Sequence, residues 1–187
     1  MKIDRIWEAD AQQSIFRQLI RASSLPGAVV DLTRVLNGQP AHIGMLATLI
    51  DGTTSLSDPD RLLDETAWRF LQAKNVAAHL AQYVLFDASK PPPPDFVPQL
   101  GSPTDSECGA MLVLVAGHVG EGEVGIDLTG PGIKGIRRLH LSGFHAAWLA
   151  RRRKWVARFP MGVDRPADRL CARGCDATYD PGAAPVR

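Results

Sequence analysis

Six prolines fall between Pro91 and Pro103 in the stretch DASKPPPPDFVPQLGSPTDSECG, residues 87–109. Proline fixes its own φ and has no N–H to give a ladder, so this stretch reads as extended loop. It divides the chain into a first part where helices alternate with short strands and a second part rich in strands. The expected role is a surface connection; a polyproline docking segment is the alternative reading of the same residues.

Ahead of the prolines, DAQQSIFRQLIRASSLPG reads as a helix. Asp10 is its expected cap, with Gln13 three residues later as a capping box requires. Ile15, Phe16, Leu19 and Ile20 recur at helical spacing, and Pro26-Gly27 closes the segment. VVDL then reads as a strand. PAHIGMLATLIDG reads as a second helix, with Pro40 in its first turn and Met45, Leu46, Leu49 and Ile50 as its stripe. DPDRLLDETAWRFLQAK reads as a third, carrying Leu63, Ala67, Phe70 and Leu71 on one side, and QYVLF follows as a strand.

Beyond the prolines come three strand candidates: MLVLVAGHV, GEVGIDLT and IRRLHLSG. FHAAWLARRRKWVARF then has helical spacing at Phe144, Trp148, Trp155 and Phe159. Helices mixed with strands, with adjacent antiparallel strands late in the chain, predict an α/β or α+β domain built on one mixed sheet.

A length of 187 residues suits one domain with a single core. The net charge of +1 gives no reason to expect a nucleic-acid partner. The N-terminus is charged, and no run approaches 18 apolar residues, so neither a signal peptide nor a membrane span is expected. Cys108, Cys171 and Cys175 are an odd set, which fits reduced thiols and a cytoplasmic setting. Cys171 and Cys175 would need two further ligands to hold zinc, so no metal is expected.

The segment LTGPGIKG matches the G-x-G-x-x-G pattern at Gly130, Gly132 and Gly135. A dinucleotide fingerprint requires a helix opening at its last glycine, because the pyrophosphate sits on that helix's N-terminal N–H groups. IRRLHLSG alternates as a strand does, so the expectation is a strand-to-strand turn whose glycines supply turn conformations. RRRK, residues 151–154, reads as a solvated helix face. His42, His79, His118, His140 and His145 form no metal-ligand spacing, and Ser14, Ser23, Ser24 and Ser142 have no nucleophile-elbow context. None of Lys2, Lys74, Lys90, Lys134 and Lys154 stands in a context expected of a Schiff-base lysine. No catalytic residue is named from the residues alone.

Three ordered stretches carry a resemblance. DAQQSIFRQLIRASSLPGAVVDL, LTGPGIKG and FPMGVD, from about residue 9 to residue 164, resemble segments of the H subunit (PhnH family) of the carbon–phosphorus lyase system. LATLIDGTTSLSD resembles a further family stretch in position. The resemblance implies an α/β fold similar to the large domain of pyridoxal-phosphate-dependent transferases, but without that cofactor. It also implies a homodimer that joins G, I and J subunits in a core complex, with no nucleic acid and no membrane. That complex processes alkylphosphonates when phosphate is scarce. Its first step transfers a phosphonate to C1 of the ATP ribose with loss of adenine. A free-standing small-molecule binder or enzyme on the same scaffold is the alternative.

Gly130, Gly132, Phe159, Pro160, Gly162 and Asp164 are the motif residues expected to serve structure or an interface. Pro160 ends the last helix, Gly162 is free to take a positive φ, and Asp164 is expected to close the turn with its carboxylate. Residues 1–164 are read as a single domain and 165–187 as a divergent tail. The tail, RPADRLCARGCDATYDPGAAPVR, is poor in β-branched residues and is not expected to supply the buried strand with which the family ends.

Overall fold

The computed structural model describes residues 4–25, 27–101, 108–129, 133–151 and 176–179. A turn of 3₁₀ helix at Arg5–Trp7 leads into α1 (Ala9–Ser24), α2 (Thr33–Leu36) and α3 (Ala41–Leu49). Then come β1 (Ser55–Ser57), α4 (Glu65–Leu71), β2 (Lys74–Asn75), β3 (Tyr83–Asp87), β4 (Met111–Val115), β5 (His118–Thr129), β6 (Arg137–Ser142) and β7 (Asp176–Tyr179). Residues 147–151 are helical.

The strands form two sheets where the sequence suggested one mixed sheet. Four are all parallel, in the order β2-β1-β3-β4, and three are antiparallel, in the order β6-β5-β7. MLVLVAGHV, which reads as one strand, is split between them. It leaves the parallel sheet at Val115 and enters the antiparallel one at His118.

Strand alternation gives the parallel sheet two buried faces. Leu85 and Val113 point to one side, where Leu46 and Ile50 from the α3 region and Ala67 and Leu71 of α4 cover them. Val84 and Phe86 point to the other, against Phe96 and Trp148. The crossovers explain this layering. From neighbouring strands β1 and β3, one connection runs to β2 and the other to β4, in opposite directions. A parallel crossover is right-handed, so opposite directions put the two connections on opposite faces. The first is α4. The second is the proline segment.

That segment is therefore a covering layer and not merely a surface connection. Pro92, Phe96 and Pro98 are buried. Phe96 meets Phe86 edge-on, with ring centroids 5.0 Å apart. Burying a side chain of this size contributes about 1.5–3 kcal/mol. Here extended backbone with apolar side chains does the work of a crossover helix.

Helix α1 starts two residues earlier than its sequence suggests, with Glu8 as its cap residue and Asp10 inside the first turn, 3.7 Å from Arg5. Ala11 and Ile15 are buried, and Leu19 packs partly against the same cluster. Phe16 and Ile20, the rest of the expected stripe, stay exposed. The short α2 and α3 cover only one side of α1. The third expected helix is shorter than read: Asp64 caps it by accepting the Ala67 N–H at 2.7 Å, and Gln72 ends it in the left-handed region. VVDL is not a strand. Asp31 accepts both the N–H and the hydroxyl of Thr33, which turns the chain into α2.

β7 lies in the tail, pairing Ile126 with Tyr179 and Thr129 with Asp176. A strand does form there despite the tail's composition. Its ladder is made by backbone groups, and ATY supplies two residues suited to it.

Candidate functional site

In an open parallel sheet, ligands are received outside the carboxyl ends of the strands, where neighbouring connections leave in opposite directions. Here that point lies between β1 and β3. Three aspartates and a lysine meet there. Asp58, directly after β1, accepts the N–H groups of Leu62 and Leu63 at 3.0 and 2.8 Å and folds the chain back. Asp60 then reaches across to β3. One of its oxygens accepts the Asp87 N–H at 2.9 Å, and the other lies 3.1 Å from Lys90 Nζ. The carboxylate of Asp87 stands 3.6 Å from the same ammonium and accepts the N–H and hydroxyl of Ser89 at 3.0 and 2.7 Å.

This network sets the protonation states. The Ser89 hydroxyl, with its backbone N–H and the nearby Lys90, holds the Asp87 carboxyl below the usual carboxylate range against a modest desolvation penalty. The hydrogen bond to Asp60 raises the Lys90 ammonium above its ordinary value. Lys90 is thus a cation held between two carboxylates. Ser89 spends its proton on a carboxylate that is a weak base. The arrangement binds and orders; it is not a nucleophile–base pair.

The rim is completed from the antiparallel sheet. Ala88 donates to the Val115 carbonyl at 3.0 Å and accepts from the His145 N–H at 2.7 Å. Gly117 donates to the Ser142 carbonyl at 2.9 Å. A bulge in β5 between Val119 and Val124 brings the Glu123 carboxylate to the Gly143 N–H at 3.0 Å. The side chains of Lys90 and His145 are exposed at this edge.

His42, on α3, is the other unusual polar group. Its Nε2 is buried with no hydrogen-bond partner among the described residues, while the ring also bonds the backbone of Leu62. Burial lowers its pKa, opposed by the Leu62 bond and by Asp58.

The loop after β5 joins two antiparallel strands, with Leu128 opposite Arg137. A strand, not a helix, follows Gly135, so the phosphate-binding reading of GPGIKG fails for lack of helix N–H groups. Gly135 has a φ of +79°, as a turn glycine does. Gly130 and Gly132 themselves lie outside the described residues, as do Phe159, Pro160, Gly162, Asp164, Trp155, Cys171 and Cys175. Of the RRRK run only Arg151 is described. It is engaged rather than simply solvated: its guanidinium donates to the carbonyls of Pro93, at 3.1 Å, and Pro94. Among the described residues no three His, Cys, Asp or Glu side chains are grouped to hold a metal ion. The sequence reading missed Asp60, Asp87 and Lys90. The available signal was Asp58 and Asp60 directly after SLS, and Asp87 at the end of QYVLF, which are strand-end carboxylates.

These features define a single-domain α/β protein with a parallel sheet flanked by helices and a charge-balanced rim at its carboxyl edge. Residues 5–166 match the model of PhnH, described as a bacterial phosphonate metabolism protein, and the chain belongs to that family. HtxG of Stutzerimonas stutzeri, provisionally assigned as a C–P lyase subunit, is 38% identical over 160 residues, covering 86% of this chain and 80% of its own. Among the described residues no helix is long and apolar enough to cross a membrane.

Proposed function

We propose that this chain is a subunit of a C–P lyase complex in alkylphosphonate catabolism, required when a phosphonate replaces adenine at C1 of the ATP ribose. The carrying observation is the family match over residues 5–166, together with the C–P lyase assignment of HtxG. The rim supports a subunit role. Its lysine and serine are committed to carboxylates, so a shared site would take its reacting groups from other subunits. In this reading the chain is a cytoplasmic homodimer that joins G, I and J subunits. It works without pyridoxal phosphate, on a scaffold similar to the large domain of the transferases that use it.

The test is reconstitution. G, I and J subunits incubated with ATP and methylphosphonate should release adenine only when this chain is added. Adenine release that is the same without the chain would refute the role. A chain that never co-purifies with those subunits and binds a small molecule alone would be the free-standing binder instead.

A further inference from the structure

The outer face of α1 carries two large apolar side chains in water: Phe16 is 46% exposed and Ile20 50%. Leu25 and Val29, just beyond the helix, are 47% and 53% exposed. Single exposed apolar residues are ordinary. These two are not single: spacing of four puts Phe16 and Ile20 side by side on one stripe. Arg17 and Arg21 border that stripe at the same spacing. They form no ion pair among the described residues, whereas the only acidic residue inside the helix, Asp10, is taken by Arg5.

The charges decide what covers this face. A second copy packed antiparallel about a point near residue 19 would set Arg17 beside the partner's Arg21. Like charges brought together at an interface cost affinity and select against that pairing. Packed in parallel about a two-fold axis, it would put the two sets of arginines on opposite flanks of the seam, with no carboxylate to receive them, since Asp10 is the only acidic residue of the helix. An apolar segment flanked by carboxylates satisfies both features at once. We propose that the α1 face is the docking site for an acidic amphipathic helix of another polypeptide. Its apolar residues would pack on Phe16 and Ile20 and its carboxylates on Arg17 and Arg21. This rests on the proposed membership of a multisubunit complex, whose G, I and J subunits are the probes.

Co-expression with those subunits tests it. Two double variants are used, Phe16→Ser with Ile20→Ser and Arg17→Glu with Arg21→Glu. Each should lower recovery of the other subunits by about tenfold or more, with the melting temperature held. Arg17→Lys with Arg21→Lys should retain most of it. A photoreactive benzoylphenylalanine replacing Ile20 should form its adduct with a G, I or J subunit. That measurement stands even if a double variant unfolds. Recovery unchanged in both double variants overturns the docking face and leaves complex membership intact. An adduct with a second copy of this chain, or none, likewise overturns it. Failure of the unmodified chain to co-purify refutes complex membership, and the inference falls with it.

Discussion

The indole N–H of Trp148 donates to the carbonyl oxygen of Lys90 across 2.9 Å, a contact spanning 58 positions of sequence. It fixes the start of the proline segment from above, while the Lys90 ammonium is held from the sheet edge by Asp60. Arg151, one helical turn further on, holds the Pro93 and Pro94 carbonyls. The covering layer and the charged rim thus share one anchor, and disturbance of either should be felt at the other.

Trp148→Phe keeps an aromatic ring against Phe86, 5.0 Å away, but orphans the Lys90 carbonyl. The expected loss is about 1–3 kcal/mol of unfolding free energy by urea titration, the usual cost of a half-buried acceptor left unmade. Trp148→Ala also empties the ring's place and should cost about 3–5 kcal/mol. Equal stability of wild type and Trp148→Phe would show that the hydrogen bond does not hold the segment.

The β5 bulge depends on glycine at position 122. Its φ is +150°, and an added Cβ would stand 2.1 Å from the Leu141 carbonyl carbon, a backbone atom that cannot swing aside. Gly122→Ala should cost roughly 2–4 kcal/mol, combining a disfavoured φ with overpacking. Gly135→Ala shares the positive φ but meets nothing within 4 Å, so it should cost less. Thermal melts of the two variants, compared side by side, check that order.

Much of this architecture was legible because periodicity is local. α1, α3, β3 and the β5–β6 pair stand near where their spacings put them. The misses have long-range causes. SLS and KN are too short to show alternation, and only pairing makes them strands β1 and β2. The proline segment looked like surface because proline says what a chain cannot form, not what it covers. Phe96 is buried against Phe86, ten positions away, in a cluster that also holds Trp148. The Asp60–Lys90 pair joins residues thirty positions apart, and neither residue signals the other in sequence.

Lys90 should resist aldimine formation. A Schiff-base lysine reacts as the free amine, and Lys90 is held as an ammonium by Asp60 and Asp87. Incubation with pyridoxal phosphate and borohydride should leave no modification at Lys90 by peptide mass mapping. Asp60→Asn with Asp87→Asn removes both anchors and should increase labelling there. A stable Lys90 adduct in the unmodified protein would overturn the assignment of the rim as fixed charge.

His42 should give the protein an acid sensitivity that begins near neutrality. Burial, the largest cause, places its folded pKa below the ordinary 6.5, and the nearby Asp58 only partly offsets this. The unfolded chain therefore takes up the proton first as pH falls. The contribution to stability is complete above 6.5 and is lost progressively as pH falls toward and through the lower folded value. The Asp87 carboxyl, depressed from 3.8, acts with the same sign, but only below that pH, whereas the His42 loss sets in from 6.5 downward. His42→Asn removes the titrating group and the orphaned Nε2, while an amide can still reach the Leu62 backbone. Its melting temperature should change less than that of the wild type between pH 7 and 5, and should keep the same fall below pH 4. Parallel curves across the upper window would show that His42 is not the group responsible.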